Sequence, residues 1–197
     1  MRRVDLALIM PWIAHGARVL DLGCGDGDLL GMLRLQRDAE GLGVDIDHEH
    51  ILNCVAAGIP VIEQDLNEGL GNFGSGSFDL VVMTNALQTL RYPHHVLDEM
   101  LRIGREVIVT FPNFGHWSCR LHLALQGRMP VSKFMPYTWY DTPNIHFCTV
   151  RDFDILCAER NIRVLDRLVL GADHTRNALA SRWPNLFGTT AAYHIAR

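Results

Sequence analysis

Glycines at positions 23, 25 and 27 alternate with Cys24 and Asp26 directly after an apolar run, and Asp21 and Asp28 flank them (VLDLGCGDGD, Val19 to Asp28). Glycine at each step lets the backbone turn sharply and approach a ligand closely, because no Cβ stands in the way. A loop of this kind that opens a helix also offers unpaired N–H groups to an anion. Two features argue against a dinucleotide as that anion. The spacing is GxGxG, whereas the dinucleotide fingerprint is GxGxxG, and position 28 is Asp. Three carboxylates beside a pyrophosphate would also repel it by about 1 kcal/mol per close pair, even when well solvated.

S-adenosylmethionine has the opposite charge balance, an ammonium and a sulfonium against one carboxylate. Acidic side chains complement it, while the loop N–H groups and the helix N-terminus receive its carboxylate. On this reading the loop residues Asp21, Gly23, Cys24, Gly25, Asp26 and Gly27 hold the ligand. A second carboxylate belongs about twenty residues further on, at the end of the second strand, to take both hydroxyls of a ribose. Asp45 stands there, followed by Ile46, with Asp47 as the reserve candidate or a helix N-cap. Asp65 and Leu66 follow the third strand, where a carboxylate accepts from the exocyclic amine of adenine. Asn85 follows the fourth strand, beneath the methionyl tail.

These residues need a scaffold that brings successive strand ends together. The pattern supplies one: apolar strands at Arg18–Leu22, Leu42–Val44, Pro60–Ile62, Phe78–Met83 and Val107–Phe111 alternate with helical stretches. Such βαβ alternation predicts a three-layer, doubly wound, Rossmann-like α/β sheet with right-handed crossovers. The opening segment spaces Leu6, Ile9, Met10 and Ile13 as a short amphipathic helix, and helices are also predicted over 29–35, 51–57 and 150–160. Residues 112–146 carry aromatics, Gly and Pro without clean periodicity and read as a substrate-side insertion. Arg163–Leu170 and Ala191–Ile195 read as a closing antiparallel pair at the sheet edge.

At 197 residues, 48% of them hydrophobic, one domain over 1–197 is expected. The formal charge of −4 gives no diffuse cationic surface for a phosphate backbone, so nucleic acid is not an expected partner. Five cysteines at scattered positions, without CxxC or clustered metal-ligand spacing, read as reduced thiols with no metal site. Arg2 and Arg3 precede an apolar stretch as in a signal peptide, but Asp5 interrupts it, and no run is long enough to span a bilayer. A cytoplasmic location, away from membranes, is expected.

The VLDLGCGDG loop, the GVDID strand end, EQDL and FDLVVM resemble the class I S-adenosylmethionine-dependent methyltransferases. That resemblance implies a seven-stranded, mostly parallel sheet with one antiparallel strand. VIEQDLNEGLGNF, VTFPNFGHW, GRMPVSKFMPYTWYDTPNIHFCT and WPNLFG are similar to the MetW family of methionine biosynthesis, over nearly the whole chain. The chain departs from the family pattern at Asn85, where Gln is usual, and at Thr189, where an acidic residue is usual.

Membership of that family implies binding of S-adenosylmethionine or S-adenosylhomocysteine, with a homoserine O-acyltransferase as the partner assisted or regulated. It does not by itself establish methyl transfer. The alternative is a small-molecule methyltransferase. Displacement at a sulfonium needs alignment and exclusion of water more than acid–base groups, yet a hydroxyl or amine acceptor profits from a base. His116, Tyr140 and His146 of the insertion are the candidates, and in many methyltransferases a histidine near the position of His146 lies close to the reacting centre. Backbone-bonded packing is the competing role for His146. Trp117 is expected in the core, Trp139 and Tyr140 in an acceptor pocket or the core. His94 and His95 are expected at a helix start, and Arg120, Arg128 and Lys133 in a solvated strip or docking surface.

Overall fold

A computed structural model describes residues 4–132, 134–171 and 178–197, so that Arg2, Arg3 and Lys133 lie outside the described residues, as does the side chain of Asp5. Its centre is one seven-stranded sheet: β1 (Arg18–Leu22), β2 (Glu40–Asp45), β3 (Val61–Glu63), β4 (Phe78–Thr84), β5 (Gly104–Pro112), β6 (Arg163–Leu170) and β7 (Thr190–Ala196). The order across the sheet is β3-β2-β1-β4-β5-β7-β6. Neighbours from β3 to β5 are parallel, and β7 runs antiparallel to both β5 and β6.

Alternating side chains along each strand feed two separate cores. Leu20, Leu22, Val81, Met83, Val107, Val109 and Phe111 face one side, with α4 (Pro93–Ile103) and α6 (Val150–Glu159) packed over them. Val19, Leu80, Val82 and Ile108 face the other, covered by α1 (Val4–Ile9), α2 (Asp28–Arg37) and Cys54 of α3 (His48–Ala56). A strand segment buried on both faces must be apolar at every position, which is why Leu80–Met83 of β4 and Val107–Val109 of β5 read as unbroken hydrophobic runs. Strand β5 begins at Gly104, earlier than its apolar run suggests. A Cβ there would stand 2.7 Å from Val81 Cγ2, so only glycine lets the strands meet at that register.

The closing pair departs from a simple hairpin. Strand β7 slots between β5 and β6, so β6 alone forms the edge, and the two are joined through α7 (Ala178–Arg182) and α8 (Pro184–Phe187). Tyr193, fully buried on β7, donates its hydroxyl to Asp154 Oδ1 of α6 at 2.8 Å and so ties the reversed strand to the helix layer. The aperiodic stretch after β5 contains a ten-residue helix, α5 (Trp117–Gln126), in which only Cys119 is buried. With so little of α5 against the core, its apolar residues have no single face to mark, and no period announces it. Trp117, expected in the core, is half-exposed at its first turn for the same reason. His94 and His95 occupy the first turn of α4.

All five cysteines are free thiols, four buried and Cys148 partly so. Among the described residues no helix is long and apolar enough to cross a membrane.

Candidate functional site

The order of the sheet reverses between β1 and β4, and the glycine loop leaves β1 there. Gly23, Gly25 and Gly27 have φ of +74°, +56° and +78°, the left-handed region open to glycine at little cost. Their surroundings differ. A Cβ on Gly27 would meet Ile59 Cδ1 at 2.7 Å and Cys54 Sγ at 3.0 Å, whereas one on Gly25 would meet nothing within 4 Å. Gly27 is therefore glycine for packing, and Gly25 borders open space.

Asp45, 9% exposed, holds the loop against the second strand. Its Oδ2 accepts from the Gly25 N–H at 2.8 Å, and its Oδ1 accepts from the N–H groups of Ile46 and Asp47 at 2.9 and 3.0 Å. A carboxylate offers about four acceptor sites, so these three bonds leave room for one more donor. Cys54 donates its thiol to the Gly25 carbonyl at 3.2 Å, and Cys24 reaches the same oxygen at 3.6 Å. Burial, first of all, pushes both thiols upward, and neighbouring carboxylates such as Asp21 add to the effect on Cys24, so both stay protonated donors.

Above this floor lies a cavity of about 760 Å³ at the carboxyl ends of β1 to β4. Seven of the eleven residues expected to bind ligand line it: Gly23, Gly25, Asp45, Ile46, Asp65, Leu66 and Asn85. The remaining four, Asp21, Cys24, Asp26 and Gly27, do not. Asp21 is buried in β1, Cys24 packs against Gly43, Asp26 accepts from Asn53 Nδ2 at 2.9 Å, and Gly27 backs onto Ile59. They shape the loop from behind. Asp65 caps the short turn Leu66–Glu68 through its Oδ1, which accepts from the Asn67 N–H at 2.8 Å. Asn85 adopts φ of +54°, and its N–H donates to Thr110 of β5, which turns the chain out of β4 and over the cavity floor.

Pattern reasoning did not pick out other wall residues, notably His50, Asn67, Thr89, Tyr137 and Pro143. Asn67 adjoins Asp65, and His50 follows Asp45 by one turn of α3, so proximity to a chosen carboxylate was the available signal. Tyr137 and Pro143 reach the cavity from the far insertion, which no local pattern reveals. Asp47 lines the wall, and its Oδ1 caps α3 by accepting from Glu49 N–H at 2.8 Å, the N-cap role expected of it.

None of the three expected acid–base residues lines this cavity. His116 is 6% exposed and caps α5, its Nδ1 accepting from the Ser118 N–H, and burial lowers its pKa. Tyr140 is 74% exposed. His146 sets its Nε2 3.3 Å from the Arg91 carbonyl and borders a different cleft. Among the described residues no three His, Cys, Asp or Glu side chains group as metal ligands.

Strand order, the reversed β7 and a cavity across the first four strand ends define the S-adenosylmethionine-dependent methyltransferase fold. The chain superposes on a SAM-dependent methyltransferase of Archaeoglobus fulgidus with a TM-score of 0.70 at 17% identity, covering 100% of this chain and 95% of that one. A second, from Mesorhizobium loti, gives a TM-score of 0.70 at 16% identity over 98% and 96% of the two chains. Residues 3–195 match the family described as Methionine biosynthesis protein MetW, and the chain belongs to that family. It is 35% identical, over 97% of its length, to the bifunctional methionine biosynthesis protein MetXA/MetW of Rhodopirellula baltica. It spans only 32% of that relative, about a third.

Proposed function

We propose that this chain binds S-adenosylmethionine or S-adenosylhomocysteine in the cavity at the ends of β1 to β4 and assists or regulates a homoserine O-acyltransferase in methionine biosynthesis. The observation that carries the binding is the convergence of Gly25, Asp45, Asp65 and Asn85, from four successive strand ends, on one cavity of about 760 Å³. That volume is typical of a small-molecule site. The missing Cβ of Gly25 leaves backbone open toward the methionyl end. The free acceptor position of Asp45 suits a ribose hydroxyl, and Ile46 and Leu66 offer apolar surface to the base between Asp45 and Asp65. The fused relative supports the partnership, because its name joins a MetXA part to a MetW part.

When bound, the cofactor would supply an electrophilic methyl group. The chain's own contribution is grip and shielding: loop N–H groups, carboxylates for the cationic and hydroxyl groups, and Tyr137 with Pro143 closing the outer side. Methyl transfer assisted by His116, Tyr140 or His146 is the second reading. It requires one of them to move toward the cavity.

Calorimetric titration with both adenosyl ligands, together with co-purification against a homoserine O-acyltransferase, tests the proposal. Saturable binding and a stable complex are expected. Failure of both would sink it, and transfer of a labelled methyl group to a small acceptor would move the assignment to the second reading.

A further inference from the structure

The geometry points to a second small-molecule site, a cleft of about 190 Å³ between the N-terminal ends of α4 and α6, taking a short aliphatic ammonium. The cleft runs inward from Pro93, His146 and Asp152 to Phe111 and Phe153, both fully buried in the core beside β5. Protein cores are normally filled to crystal-like density. A recess that ends on core aromatics is therefore a feature the surrounding side chains leave open, with apolar walls suited to an aliphatic body.

The side-chain donors around it are spent on backbone carbonyls, His146 Nε2 on Arg91 and Gln88 Nε2 on Asn85, which leaves acceptors. Gln88 is 7% exposed, and its Nε2 donates to the Asn85 carbonyl at 2.7 Å. That bond fixes the amide orientation, because the reverse assignment would press two oxygens together. The Oε1 of Gln88 is then a buried acceptor without a partner. Such an atom is costly to leave unsatisfied and marks the place for a donor. At the mouth, Asp152 Oδ2 accepts from Thr149 in the α6 capping box, which leaves the other carboxylate oxygen available. Cys148 spends its thiol hydrogen on the Thr149 carbonyl, and burial pushes its pKa up to about 12, so it adds no charge. Among the described residues no lysine or arginine lines the cleft. The balance favours a cationic donor head over a carboxylate or phosphate.

The turn Leu87–Thr89 divides this cleft from the larger cavity. Leu87 and Gln88 border the cleft, while Ala86, Thr89 and Leu90 border the other side. The backbone N–H groups of Ile145 and His146 both donate to the Gln88 carbonyl at 3.0 Å, so the cleft wall is also the anchor of the covering segment. An occupant here is a second ligand, walled off from any methyl donor, and the role of His146 is to border that ligand's site.

The test is an NMR titration of the full chain with isobutylammonium, isobutanol and isovalerate, which share a similar body and differ in the head. Expected are saturable amide shifts at Gln88, Cys148 and Leu156 with isobutylammonium, and affinity for isovalerate lower by about tenfold or more. Asp152→Asn should weaken the ammonium and leave isobutanol unchanged. Leu156→Phe should fill the cleft and abolish binding, with Cys148→Met as the alternative filling variant if the first does not fold. The proposal is overturned by the absence of saturable shifts, by isovalerate binding equally well, or by displacement of the probe when S-adenosylhomocysteine is added. The titration reads the cleft whether or not the adenosyl proposal holds.

Discussion

The floor of the large cavity and its cover are built in opposite ways. Around the glycine loop, Asp45 alone takes three backbone hydrogen bonds, two thiols bracket one carbonyl, and of three left-handed glycines two, Gly23 and Gly27, sit hard against Ala86 and Ile59. Between β5 and α6 the chain instead leaves Leu125 at 76%, Trp139 at 73% and Tyr140 at 74% exposed, and helix α5 buries only Cys119. A floor with redundant restraints holds a ligand in one geometry. A loosely anchored cover can change sequence at little cost to folding. On the proposed reading, recognition of the adenosyl group belongs to the strand ends, and whatever would distinguish this chain from other methyltransferase-fold proteins belongs to the cover.

The sharpest way to break this contrast is Asp45→Ala. Loss of a charged acceptor that also ties the loop is expected to weaken S-adenosylhomocysteine binding by roughly 1–3 kcal/mol, measured by calorimetry. Unchanged affinity would transfer the ribose contact to Asp47. Next come paired glycine variants. Gly27→Ala places a Cβ in a left-handed residue against Ile59 and should cost at least about 1–2 kcal/mol in urea unfolding. Gly25→Ala meets no neighbour, so it should cost less stability and disturb ligand binding more.

A smaller effect follows from His116. Burial lowers its pKa, so the folded chain keeps it neutral while the unfolded chain takes up a proton as pH falls below the ordinary histidine value. The stability it contributes is complete above that value and is lost as pH drops through it toward the lowered folded value. The urea midpoint should therefore decline on acidification, and His116→Asn, which keeps an N-cap acceptor, should remove that part of the decline. Smallest of all, Trp139→Ala and Tyr140→Ala should each change stability by less than about 0.5 kcal/mol. A larger loss, or weakened adenosyl binding, would make the cover part of the floor.

Much of the sheet was legible because strand segments buried on both faces are apolar throughout, as at Leu80–Met83, and because Gly and Pro mark their ends. The strand-end carboxylates were legible for a related reason: a ligand beyond the sheet can be reached only from the residues where strands stop. Helix α5 was not, since a helix resting on one buried cysteine carries no stripe. The division of labour within the loop was equally hidden. Asp21, Cys24, Asp26 and Gly27 read like ligand contacts, yet burial in β1, packing against Gly43, a bond from Asn53 and contact with Ile59 keep them out of the cavity wall, and no linear spacing encodes those partners.

From the sequence alone came the doubly wound class, the position of the glycine loop, and the candidacy of Asp45, Asp65 and Asn85, all consequences of short-range patterning and charge. Only the tertiary structure decided that Asp45 spends most of its capacity on the backbone, that Tyr137 and Pro143 reach back over the cavity, and that His146 borders a separate cleft behind the turn Leu87–Thr89. Those outcomes depend on contacts between segments far apart in the chain, and their geometry exists only once the sheet has set the strand ends side by side.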